Sequence, residues 1–162
     1  MGEFSHIDKD GNAVMVDVTD KEITERVAVA SGKIYVCQEI IDAINDGTNS
    51  KGNVLATARV AGIMGAKKTS ELIPMCHPLM LTKVNIDFEI VDDEKPFIRC
   101  VCTAKLKGQT GVEMEALTGV NVALLTVYDM CKAIDKGMVI TDIHLMEKTG
   151  GKSGHYKNDW TA

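Results

Sequence analysis

The sequence predicts an α+β fold, an antiparallel sheet with helices packed on one face, and three observations predict it. Two segments, KVNIDFEIV and FIRCVCTAKL, alternate apolar and polar residues on either side of the turn DDEKP, the period-two pattern of antiparallel strands with one wet face. A long segment, TGVEMEALTGVNVALLTVYDMCKAIDKG, repeats its apolar residues at helical spacing. The order along the chain is strand, two helices, two strands, helix, strand, which is a ferredoxin-like plan with one additional helix.

Each element follows from its own residues. Residues 1–13 are polar and read as a loose N-terminal arm. Residues 23–36 carry enough β-branched content for a long strand, with a turn expected at Ser31-Gly32. In CQEIIDAINDG, Ile40, Ile41 and Ile44 have helical spacing, and Gly47 stands where glycine closes a helix. The polar link TNSKGN leads to a second helix, NVLATARVAGIMGAKK, whose apolar side is Val54, Leu55, Ala58, Ala61, Ile63 and Met64. Its small residues let another backbone come close. Of the alternating strands, the first turns Val84, Ile86, Phe88 and Ile90 inward and the second Ile98, Cys100, Cys102, Ala104 and Leu106, so the Cys100 and Cys102 pair reads as core packing. The long helix has a stripe of Ala116, Val120, Ala123, Leu124, Val127, Cys131 and Ile134, with Gly137 as its stop. MVITDIHLME supplies a last strand, and residues 149–162 read as a glycine-rich, polar arm. No repeat or linker divides the chain, so 1–162 reads as one domain.

Composition narrows the function classes. A chain of 162 residues, 45% hydrophobic and 25% charged, suits one globular domain with a real core. No apolar run approaches the roughly 20 residues of a bilayer span, and the start lacks a basic-then-apolar signal; a cytoplasmic protein without membrane contact is expected. The five cysteines are odd in number and lack CxxC spacing, against a disulfide framework and against a standard zinc site. No metal ligand set is expected. A net charge of −5, with only three Phe, three Tyr and one Trp, disfavours nucleic acid. Lys132, Lys136, Lys148, Lys152 and Lys157 still allow a local site for a small anion.

Four places could carry chemistry. ELIPMCHPLML places His77 between Pro74 and Pro78, two of the chain's three prolines. Each proline fixes its own φ and pushes the preceding residue out of helical space, so Ile73 and His77 are expected to be extended. His77 is then either a satisfied core histidine in a stiff connector or a ring held at a pocket edge. Glu113 follows Thr110 by three, the spacing of a helix capping box, while Glu113 and Glu115 diverge if both are helical. Asp129 and Lys132 share a helix face, as an ordinary surface pair or, because LLTVYDMCKAI is so apolar, as a buried acid–base couple with shifted pKa values. EKTGGKSG ends like a phosphate loop, yet Met146 stands where its first glycine belongs and no helix is expected to follow. Its backbone N–H groups, with Lys148 and Lys152, could still face a phosphate; the alternative is a solvated terminus.

The stretches KGNVLATARVAGIMGAKKTSELIPMCHPLMLTKV, GQTGVEMEALTGVNVALLTVYDMCKAIDKGM and EKTGGKSG, together with the rest of residues 5–157, closely resemble the cyclic pyranopterin monophosphate synthase family, the protein C family of molybdenum cofactor biosynthesis. The resemblance implies a ferredoxin-like lyase that assembles as a homohexamer, a trimer of dimers. It implies conversion of (8S)-3′,8-cyclo-7,8-dihydroguanosine 5′-triphosphate to cyclic pyranopterin monophosphate with release of diphosphate. No protein-held cofactor is implied, and a divalent metal accompanying the triphosphate stays open. Carried over by position, the family's lysine before a helical segment matches Lys51 in SKGN, and its proline-fenced histidine matches His77, beside Met75 and Cys76. The VEME carboxylates match Glu113 and Glu115 around Met114, the YDMCK acid and base match Asp129 and Lys132, and the glycine-rich lysines match Lys148 with Lys152. Arg26 corresponds to an arginine of the N-terminal strand.

On this reading the prolines hold Met75, Cys76 and His77 as a preformed pocket edge. Lys51, Lys148 and Lys152 meet the triphosphate, Asp129 and Lys132 move protons, and His77 with the two glutamates holds the guanine-derived edge and sugar hydroxyls. Glu115 and Asp129 are fourteen residues apart, about 21 Å along an unbroken helix, so either Glu115 precedes the helix or, the favoured reading, the pocket is shared between subunits. Two rival classes are a nucleotide-binding regulatory module without catalysis and a purely structural subunit; the first predicts binding without turnover, and the second leaves the fenced histidine without a role.

Overall fold

The computed structural model describes residues 6–160. Among them the elements run β1 (Thr24–Tyr35), α1 (Gln38–Asn45), α2 (Val54–Lys67), α3 (Thr69–Leu72), β2 (Lys83–Val91), β3 (Phe97–Gly108), α4 (Glu113–Cys131), β4 (Val139–Thr149) and β5 (Tyr156–Lys157). The strands form one sheet in the order β2-β3-β1-β4-β5, and every neighbouring pair is antiparallel. This is the α+β, ferredoxin-like sheet that the element order predicts, extended by the two residues of β5. No helix among the described residues is long and apolar enough to cross a membrane.

The core forms where the period-two faces meet the stripe of α4. Ile98, Cys100, Cys102, Ala104 and Leu106 of β3 are all buried, as are Ala116, Val120, Ala123, Leu124, Val127 and Cys131 of α4. Burial pushes the Cys100 and Cys102 thiols up to about 12, so both stay protonated and behave as small hydrophobes. Helices α2 and α4 cross at glycines. A Cβ on Gly62 would stand 2.9 Å from the Gly119 carbonyl, and one on Gly119 would stand 2.7 Å from the Cys102 sulfur. The small residues of α2 therefore serve close backbone approach, as expected. Met64, placed on the apolar side by spacing, instead lies outward at 54% exposure, because that side narrows to Val54, Ala58, Gly62, Gly65 and Ala66.

Three further expectations are corrected. The strand does not turn at Ser31-Gly32; β1 pairs with β3 without a break through Ser31↔Val101 and Gly32↔Cys100. Gly32 is needed for packing, since a Cβ there would press within 2.8–3.0 Å of Ile143, Val120 and Leu124. The irregularity lies across the ladder instead, where the β1–β4 register shifts between Ser31 and Lys33 and Asp142 takes a left-handed φ of 59°. The capping box does not form, for Val112 caps α4 without a side-chain bond. Finally, α4 ends at Cys131, ahead of Gly137, as Ile134 N–H turns back to the Cys131 carbonyl and Asp135 accepts from Gly137 N–H.

The chain ends and the connectors have their own order. Helix α1 closes as its sequence predicts, with Gly47 at φ 67° and Thr48 N–H donating to the Ala43 carbonyl. Ile73 is extended, at φ −111° and ψ 108°. Of the N-terminal arm, residues 1–5 lie outside the described residues; the rest holds a bridge, Ile7↔Ala13, around the Asp8 carboxylate, which accepts from Asp10 and Asn12 N–H. In the C-terminal arm, of which 161–162 lie outside the described residues, β5 folds back on Glu147 and Lys148 of β4. Gly150 and Gly151 reverse the chain at φ 95° and 74°. A strand follows the glycine run there, so the phosphate-loop topology is absent.

Candidate active site

The predicted site residues gather in two clusters at opposite ends of α4. The first surrounds its N-terminus. The Thr110-Gly111-Val112 loop leads into Glu113, whose Oε1 lies 3.3 Å from Lys148 Nζ in a half-buried ion pair. As the first residue of α4, Glu113 stands two positions short of the place a capping box would give it. Lys148 also donates to the Ser153 hydroxyl, which ties the glycine turn to the ion pair. Arg26 passes under that turn: its guanidinium donates to the Gly108 and Gln109 carbonyls at 3.3 and 3.2 Å. A Cβ on Gly151 would collide with it. These groups, with the exposed Lys152, line a cavity of about 800 Å³.

A second cavity, of about 280 Å³, adjoins the first and shares Lys21, Thr110, Gly111 and Glu113 with it. Its walls include Met75, Cys76 and His77 from the proline-fenced segment and Met114 and Glu115 from α4. Met114 is exposed, while Glu115 is 4% exposed. Burial, reinforced by the neighbouring Glu113 charge, raises the Glu115 carboxyl from 4.5 to about 7. The same desolvation, with Glu115 nearby, raises the Cys76 thiol, so Cys76 offers a protonated S–H and not a thiolate. His77 is neither a core histidine nor a free ring. It is half-buried, and its Nε2 lies 2.8 Å from the Val16 carbonyl, which requires the proton on that nitrogen.

The other cluster sits at the C-terminal end of α4. Lys132 Nζ is 2.7 Å from Asp129 Oδ1, and Lys51 Nζ is 3.3 Å from Oδ2 and donates to the Asp129 carbonyl at 2.7 Å. The structure thus joins Lys51 to the predicted couple. It also corrects the expectation of burial: Asp129 and Lys132 side chains are 59% and 50% exposed, because their apolar neighbours Val127, Met130 and Cys131 take the inward face. Hydrogen bonds from Lys132 and then Lys51 hold the Asp129 carboxyl below its usual range, and Asp129 in turn raises Lys132. Each partner is held in its charged form, the opposite of the neutralising shift that burial would impose.

Lys21 and Gln109 escaped the sequence reading. Lys21 lines both cavities, and Gln109 lies between Arg26 and the turn that carries Lys21. Neither has a local signal, because Lys21 stands in the polar run DVTDKEITER and Gln109 in a loop. Among the described residues no group of three or more His, Cys, Asp or Glu side chains is placed to hold a metal ion.

The fold and these clusters define an α+β chain with a pocket lined by lysine, arginine and glutamate side chains at one end of its long helix and an exposed Asp–Lys ion pair at the other. A family model described as the MoaC family matches residues 15–151, which contain every predicted site residue except Lys152. Curated relatives named cyclic pyranopterin monophosphate synthase match nearly the whole chain. The protein of Clostridium botulinum (strain Alaska E43 / Type E3) is 59% identical over 157 residues, 97% of this chain and 98% of its own. Those of Clostridium perfringens strain 13 and strain SM101 are 59% and 58% identical over 154 residues, 95% of this chain and 97% of theirs. The chain belongs to the MoaC family.

Proposed function

We infer that this protein is a lyase of molybdenum cofactor biosynthesis, converting (8S)-3′,8-cyclo-7,8-dihydroguanosine 5′-triphosphate to cyclic pyranopterin monophosphate and releasing diphosphate. The observation that carries the reading is the 59% identity to a cyclic pyranopterin monophosphate synthase across 97% of the chain. The chemistry of the clusters supports it. Expelling diphosphate while a cyclic phosphate closes needs cations around the phosphates, and Lys148, Lys152 and Arg26 surround the larger cavity. Rebuilding a purine-derived ring needs groups that can take and return protons. Glu115, raised to about 7, is suited to this near neutrality; Asp129, held as a carboxylate, is suited to accept a proton from the substrate, and Lys132, held as an ammonium, to give one. His77, Met75, Cys76, Glu113 and Met114 form the surface for the guanine-derived edge and sugar.

The same reading places both clusters at one substrate, with Lys51, Asp129 and Lys132 from a second copy. Glu115 and Asp129 lie on the unbroken helix Glu113–Cys131, about 21 Å apart at 1.5 Å per residue, so one small ligand does not reach both within a chain. Exposed apolar side chains on α2 and α4, namely Val60, Met64 and Leu125, suit burial against other copies, and the family resemblance points to a homohexamer built as a trimer of dimers. The chain acts as a single catalytic domain, in the cytoplasm. Incubating the pure protein with the cyclised GTP derivative and assaying diphosphate and the cyclic product tests the function; binding without turnover would favour a regulatory nucleotide-binding module instead. Asp129→Asn or Lys132→Ala should lower the rate by about 10²- to 10⁴-fold while assembly persists, and retention of a third of the wild-type rate would remove the couple from the mechanism.

A further inference from the structure

We propose that Gln109 is a positioning residue that sets Lys21 as an anion-binding group between the two cavities, by pinning the segment Val14–Ile23 across the pocket mouth. Local bonds shape this segment but do not attach it: Thr19 N–H and hydroxyl donate to Asp17, and Lys21 N–H donates to the Val18 carbonyl. Among the described residues its side-chain-mediated attachments to the rest of the fold are at two places. His77 holds the Val16 carbonyl, and the Gln109 carboxamide holds the carbonyls of Thr19 and Lys21 at 2.9 and 3.1 Å. A carboxamide has two N–H donors, and both are spent on this turn. Two bonds to carbonyls two residues apart fix the direction of the backbone, and with it the start of the Lys21 side chain. Gln109 is itself held from behind, since its backbone carbonyl accepts from Arg26.

The geometry makes Lys21 the lysine common to both cavities, and it carries no ion pair among the described residues. Glu113, the carboxylate that shares both cavities with it, is engaged by Lys148. A flexible four-carbon stem loses much rotamer freedom on binding, so holding its backbone in place lowers the ordering cost when a phosphate arrives. This inference rests on the proposed function for its substrate, and the experiment separates the two. Steady-state kinetics with the cyclised GTP derivative are run beside calorimetric titration of inorganic triphosphate, using Lys21→Ala, Gln109→Leu, the double variant and Gln109→Lys. Lys21→Ala should raise KM and weaken triphosphate binding by about ten- to a hundredfold, the size of one charge-assisted bond. Gln109→Leu should do so by about five- to tenfold with kcat nearly unchanged, the mark of lost uniform binding.

The double variant should be no worse than Lys21→Ala alone, and Gln109→Lys, which can still donate to the carbonyls, should recover most of the loss. Losses that multiply in the double variant, unchanged KM and triphosphate affinity in Gln109→Leu, or a fall confined to kcat would each overturn the proposal. If the wild-type protein does not turn the substrate over, the function falls, and the triphosphate titrations still decide the roles of Gln109 and Lys21.

Discussion

Among the described residues Glu115 forms no ion pair, and its surroundings give that carboxyl a measurable signature. Its pKa is raised by burial first and by Glu113 second, from 4.5 to about 7, so ionising it in the folded chain costs on the order of 3 kcal/mol at 1.36 kcal/mol per pH unit. Below about pH 4.5 the carboxyl is protonated in folded and unfolded chains alike, and its contribution to stability is complete. Between that point and about 7 the unfolded chain loses the proton first, so stability falls as pH rises. Glu115→Gln keeps the neutral form at every pH. Denaturant titrations of the wild type and this variant at pH 5 and pH 8 should therefore diverge, with the variant gaining up to a few kcal/mol at the higher pH; parallel behaviour would show that the carboxyl is solvated. This property was not legible in the VEME motif, because it depends on which residues cover the helix start. The exposure of Asp129 was likewise misread, since apolar sequence neighbours on a helix face other directions.

At the scale of elements, the crossing of α2 and α4 depends on the missing Cβ atoms of Gly62 and Gly119. A larger side chain at Gly62 would meet the Gly119 backbone and the Ala123 methyl, neither of which can swing aside. Gly62→Val should cost about 1–3 kcal/mol in denaturant unfolding, although valine has a better helix propensity than glycine. An unchanged midpoint would mean that the helices separate at no cost. The small-residue side of α2 was readable because a helix displays its spacing locally, and the alternation of β3 was readable for the same reason. Gly32 shows where local reading fails: a glycine in a strand resembles a turn, and only the position of α4 over β1 reveals its use. Glu113 failed similarly, since α4 begins at Glu113 itself and its partner Lys148 comes from a distant strand.

For the whole molecule, the continuity of α4 sets the distance between the two clusters. The unbroken helix has Glu115 and its cavity at one end and Asp129, with Lys51 and Lys132, at the other. A pocket completed by a second copy follows if both clusters act on one substrate. The sequence separation of these residues already implied it, whereas the arrangement of copies lies beyond a single chain. The most direct measurement mixes two inactive proteins, Glu115→Gln and Asp129→Asn, with subunit exchange by mild denaturation and refolding or by co-expression, and mixed assemblies verified by mass. With two-fold pairing at equal amounts, half the dimers are hybrid and each hybrid restores one of its two sites, so about a quarter of wild-type activity should return. Verified hybrids that stay as inactive as their parents would contradict the shared pocket and confine the site to one chain.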